Sequence, residues 1–64
     1  MIVLNGKPAE GEGLTVAELL ERLEVPHRGV AVAVDAEVVP RGEWATHVVD
    51  DGARVEVVTA VQGG

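Results

Sequence analysis

The sequence predicts an α+β fold, with one main helix packed on one face of a mixed sheet of four to five strands. Three observations predict it. A single segment, beginning at Thr15, carries apolar residues at helical spacing. The other apolar segments are short, rich in valine and bounded by turn residues, which is how strands read. Their order along the chain also lets the first and last strands lie side by side in parallel.

Ile2-Val3-Leu4 is a short apolar run with strand propensity. Asn5-Gly6 follows, a strong hairpin signal because both residues tolerate positive φ. The return strand is expected from Lys7 to about Glu12. Pro8 cannot donate to a ladder, so this strand belongs at a sheet edge. The segment Gly11-Glu12-Gly13-Leu14 lacks the lysine and the full glycine spacing of a phosphate cradle, and Glu12 would repel phosphate. It reads as a flexible connector.

The helix is the best-specified element. Thr15 is a good N-cap, and Glu18 three residues on completes a capping box. Leu14 and Leu19 are placed to form a hydrophobic staple. Val16, Leu19, Leu20 and Leu23 fall on one stripe. Glu18 and Arg22 are spaced to pair on the wet face. Pro26 disfavours helical geometry at Val25, so the helix is expected to end there.

Val30 to Val34 alternates valine and alanine, putting three valines on one face and two alanines on the other. Asp35-Ala36-Glu37 reads as a turn into Val38-Val39, which Pro40 stops. Arg41 to Asp51 is irregular or briefly helical and contains the only aromatic residue, Trp44. Asp51-Gly52 marks a turn. The last strand is expected from Arg54 to Ala60, with Val55 and Val57 on one face and Glu56 and Val58 on the other. With the first and last strands parallel at the centre and the helix covering one face, this is a β-grasp (ubiquitin-like) arrangement. The domain organisation is then a β-grasp domain over residues 1–60 and a flexible C-terminal tail over 61–64 ending in Gly-Gly. Fully extended, four residues reach ~13–14 Å.

Composition narrows the function. The chain has 64 residues, enough for one domain and one small core. It contains no Ser, Cys or Tyr, so serine and cysteine nucleophiles are excluded. His27 and His47 are the only histidines and have no partner at metal-ligand spacing, so they read as surface or turn residues. The net charge of −6 argues against nucleic acid and suits either solubility or a basic patch on a protein partner. No signal-peptide pattern and no long apolar run is present, so a soluble cytoplasmic protein with no membrane partner is expected.

The tail supplies the chemistry the domain lacks. A free α-carboxylate is ionised at neutral pH and can attack the α-phosphate of ATP in a partner's site. Glycine at the last two positions allows close approach from both sides. The sequence resembles the ubiquitin-like sulfur carriers, most closely the thiamine-biosynthesis carriers of the ThiS type, over nearly its whole length. The likeness rests on MIVLNGKP, on TVAELLERL, on VAVAVDAEVVPRGEW and on DDGARVEVVTAVQGG. Val38-Val39-Pro40-Arg41 followed by Trp44 is its most particular feature; Asp35-Ala36 departs from the Asn-Gly often found there.

The resemblance implies that Gly64 is the modified residue, adenylated and then converted to a thiocarboxylate. Gly63, Gln62 and Val61 would thread into partner sites. The implied partners are an adenylyltransferase related to ubiquitin-activating enzymes, a cysteine desulfurase or other persulfide donor, and thiazole synthase, which takes the sulfur for thiamine. The chain itself would bind no cofactor; ATP belongs to the activating partner. Val58 and Ala60, apolar and on the face away from Val55 and Val57, are expected to form a partner surface next to the tail. Trp44 is expected to cap the core, and Arg41 to contact a partner or form an ion pair. The same tail chemistry serves sister carriers for molybdopterin or tRNA thiolation. A β-grasp regulatory module would instead tolerate loss of its last residues.

Overall fold

In a computed structural model the structure is described for residues 1–59. Five strands form one sheet: β1 (Ile2–Leu4), β2 (Lys7–Ala9), β3 (Val30–Val34), β4 (Glu37–Val38) and β5 (Arg54–Thr59). One helix, α1 (Val16–Arg22), lies between β2 and β3 in the chain, and a single 3-10 turn, Arg41–Glu43, precedes Trp44. The strand order is β2-β1-β5-β3-β4, so the last strand occupies the centre. It runs parallel to β1 and antiparallel to β3. Pro8 sits in an edge strand, where its missing N–H costs no ladder bond.

The core forms between the sheet and α1. Val16, Leu19 and Leu20 of the helix are buried together with Ile2, Val32, Val34 and Val55 of the strands. Val39, Trp44, Val49 and Ala53 close the cluster, and Leu14 and Leu23 pack on its margin. Trp44 is buried, and its indole N–H donates to the Val39 carbonyl at 2.9 Å, so it caps the core as expected.

The start of α1 shows how a short helix is held. Thr15 and Glu18 form the full capping box. The next two orphan donors are taken from a distance: Val16 N–H donates to the His47 carbonyl and Ala17 N–H to the Trp44 carbonyl, at 2.9 and 3.0 Å. The irregular segment after Trp44 therefore serves as a backbone cap for the helix.

The helix ends earlier than Pro26 suggests. Glu24 adopts φ +60, its N–H donates to Glu21, and the Val25 N–H donates to Leu20. These are the two hydrogen bonds of a Schellman motif, made here with glutamate in the left-handed position that glycine usually fills. The expected Glu18–Arg22 ion pair does not form; among the described residues only the Met1 amine makes ion pairs, with Asp51 and Glu12. Two freely solvated side chains gain too little from pairing to be fixed.

Other boundaries shift for local reasons. β2 stops at Ala9 because the chain turns inward at Gly11, where a Cβ would lie 2.9 Å from both Ile2 Cδ1 and Leu19 Cδ1. The expected flexible connector is thus a close-packed crossing, tied further by a Gly13 N–H to Val49 carbonyl bond of 2.8 Å. β4 begins at Glu37 rather than Val38. Asp35 and Ala36 both take positive φ, giving a two-residue turn that pairs Val34 with Glu37 at once. Val39 then drops into the core.

Both hairpin turns reach beyond themselves. At one end of β5, Asp35 N–H donates to the Arg54 carbonyl at 2.7 Å, and Asp35 Oδ1 accepts from Arg54 N–H at 3.0 Å. Further along the strand, Asn5 Oδ1 accepts from Val57 N–H at 2.9 Å, and Asn5 Nδ2 donates to the Val57 carbonyl at 3.3 Å. The central strand is thus held at Arg54 and at Val57 by the first residue of a turn.

Candidate functional site at the end of the central strand

β5 carries the chain to the C-terminal side of the sheet, and Thr59 is its last described residue. Its alternation matches the sequence: Val55 is buried and Val57 half-buried beneath the helix side, while Glu56 and Val58 face outward. Val58 is 58% exposed and lies opposite Ala31 of β3. Ala33 pairs with Glu56 on one side and Val38 on the other, and Val38 is 73% exposed. The uncovered face thus carries Val58, Ala31, Ala33 and Val38 around the charged Glu56. Ala60, expected to join Val58, lies outside the described residues, as do Val61, Gln62, Gly63 and Gly64.

On the helix side of the same strand end, an open groove of about 410 Å³ runs between the first hairpin and the end of α1. Leu4, Leu23, Val25 and Val57 give it an apolar lining, and Asn5, Glu24 and Thr59 add polar groups. Neither the groove nor the Asn5 bridge was visible in the sequence. Asn5 announced only a turn, since nothing in local spacing links residue 5 to residue 57.

Two further candidates pack against Trp44. The Arg41 guanidinium lies 5.4 Å from the centre of the Trp44 ring and donates to the His27 carbonyl. Among the described residues it makes no ion pair; its guanidinium lies on the indole face instead. His27 packs edge-on to the same ring at 5.8 Å. No group of three or more metal-ligating side chains occurs among the described residues, and no helix there is long and apolar enough to cross a membrane. Every buried side-chain nitrogen or oxygen among them has a partner.

The architecture defines a small β-grasp domain whose central strand ends at an open edge, with its chain continuing from there. Comparison with known proteins makes this specific. The sequence model of the ThiS family matches residues 2–64. The sulfur carrier protein ThiS of Thermus thermophilus is 42% identical over 64 residues, covering 100% of both chains. That of Escherichia coli is 42% identical over 52 residues, 81% of this chain and 79% of that one. The crystal structure of the thiamine biosynthesis protein ThiS from Geobacter metallireducens superposes with a TM-score of 0.83 at 36% identity, covering 98% of this chain and 97% of that one. A thiazole synthase of Paramagnetospirillum magneticum is 38% identical over 64 residues, 98% of this chain but 20% of its own length. The chain belongs to the ThiS family of small sulfur carriers.

Proposed function

We propose that this protein carries sulfur for thiazole synthesis as a thiocarboxylate on Gly64. Family membership carries the reading, and the fold supports it: a rigid sheet presents a chain end that needs no catalytic group of its own. The Gly64 carboxylate attacks the α-phosphate of ATP in an adenylyltransferase related to ubiquitin-activating enzymes, and pyrophosphate leaves. The terminal sulfur of a cysteine persulfide then attacks the acyl carbon and expels AMP. A thiol cleaves the resulting acyl disulfide and frees the thiocarboxylate. Thiazole synthase consumes it, a pairing supported by the carrier-like segment within the thiazole synthase of P. magneticum. Val61, Gln62 and Gly63 thread the partner sites, while Val58 and Ala60 meet the partner's surface. Activity resides in the partners, and ATP is theirs.

Intact-mass measurement tests this. After incubation with ATP, the adenylyltransferase and a persulfide donor, the protein gains the mass of one oxygen replaced by one sulfur, and fragmentation places the change on Gly64. Sulfur found on Lys7 or any internal residue overturns the proposal.

A further inference from the structure

On its β1 side, the central strand is held by a short series of bonds. Val3 N–H donates to the Ala53 carbonyl at 2.9 Å, and Asn5 N–H donates to the Val55 carbonyl at 2.8 Å. The backbone of β1 then turns away through Asn5 and Gly6, at φ 49 and 84. The next rung, at Val57, is made by the Asn5 carboxamide alone, through both its oxygen and its nitrogen. Beyond it, no described residue pairs with β5 on that side.

The two hairpins provide an internal comparison. A turn with two positive φ values is satisfied by Asn, Asp or Gly in its first position. Asp35 fills that position in the β3–β4 turn, where β5 requires only an acceptor because Asp35 N–H already serves the Arg54 carbonyl. At Val57 both a donor and an acceptor are required, and only a carboxamide supplies both. The choice of asparagine therefore exceeds what the turn needs. Nor does global stability need it. β3 holds β5 through five registered pairs, and Asn5 is exposed and outside the core.

We propose that Asn5 is a positioning residue for the C-terminal tail: by pinning Val57 it fixes the direction in which the chain leaves the sheet. The proposal rests on the reactivity of Gly64 proposed above. Five residues follow Thr59, with a reach of ~17 Å, so a swing of ~15° at the base displaces the far end by roughly 4 Å. That exceeds the ~3–3.5 Å separation at which reacting atoms must be held. A pinned base narrows the directions in which the chain can leave β5, whereas a loose one adds to what must be ordered at each encounter.

The test uses Asn5→Gly, which keeps the turn and removes the carboxamide, and Asn5→Asp, which keeps the acceptor and removes the donor. The first readout needs no partner. Amide exchange at Val57 accelerates in Asn5→Gly, whereas Asn5→Asp, which keeps the oxygen that accepts from that amide, leaves it protected; NMR relaxation shows Thr59 less ordered in Asn5→Gly, with the melting temperature little changed. The second is ATP–pyrophosphate exchange with the adenylyltransferase. For Asn5→Gly, kcat falls ~10-fold while KM for the carrier stays within about twofold, because docking through the Val58 face is intact. Unchanged kcat alongside faster Val57 exchange overturns the positioning role and leaves the carrier reading standing. A raised KM at constant kcat also overturns it, since Asn5 would then be a docking contact. No exchange by the unaltered protein refutes the carrier reading, and the positioning role falls with it.

Discussion

Two side chains occupy backbone conformations that glycine would accept more cheaply. Ala36 sits at φ +71 in the β3–β4 turn, and Glu24 at φ +60 after α1. A left-handed non-glycine residue costs ~1–2 kcal/mol, and glycine returns part of that as unfolded-state entropy. Ala36→Gly and Glu24→Gly are each expected to stabilise the domain by about 0.5–1 kcal/mol, read as a higher urea midpoint at constant slope. A lower midpoint for Glu24→Gly would show that its side chain does work at the groove it lines. Gly11 is the opposite case, ordinary in conformation but crowded. Its added methyl would press on Ile2 and Leu19, both fully buried, so Gly11→Ala should destabilise by about 1–3 kcal/mol. Gly63→Val should leave the melting temperature unchanged and abolish pyrophosphate exchange, because a branched side chain narrows φ and ψ and would block the threading proposed for the tail. Wild-type exchange by that variant would remove the tail from the mechanism.

Among the elements, α1 was the most legible and β5 the most consequential. The capping box and the apolar stripe from Val16 to Leu20 involve neighbours in sequence, so local spacing reveals them. The caps supplied by the His47 and Trp44 carbonyls are backbone contacts across some thirty residues of chain, and no side-chain identity encodes them. The Schellman ending was hidden because its left-handed residue is glutamate, while Pro26 gave a louder and later stop signal. The candidate site divides the same way. The outward placement of Val58 follows from strand alternation; the Asn5 rung does not. Val58→Glu should weaken binding to the adenylyltransferase or thiazole synthase with circular dichroism unchanged, since a charge would be buried unpaired. Equal affinity for both partners would show that this face is idle. The loop before α1 carries a pH response. Its own backbone N–H and that of Gly11, then the Met1 amine, hold the Glu12 carboxyl down at about 2, from 4.5. A depressed carboxyl stabilises the fold above its unfolded value and loses that effect as pH falls toward its folded one. The melting-temperature difference between wild type and Glu12→Gln should therefore disappear between pH 4.5 and about 2. A difference that persists to pH 2 would mean that Glu12 acts by packing.

At the scale of the molecule, the β-grasp arrangement was legible because few topologies let one helix and a late, valine-rich strand share a sheet. What the sequence withheld was how closely the start of the chain is joined to its last described strand and the turn before it: Val3 pairs with Arg54, and the Met1 amine reaches Asp51. That pairing has a bearing on how the protein is made. The strand at the middle of the sheet is synthesised after the other four described strands, and β1 and β3 are not hydrogen-bonded neighbours because it lies between them. Contacts so distant in sequence form late and slowly. During translation the nascent chain therefore holds two separate hairpins and a short helix, none stable alone. Fragments ending at Gly52 should show no dispersed amide spectrum, whereas a fragment ending at Thr59 should fold. Folding would then act as an inspection step: a chain broken off before β5 never closes into a compact domain.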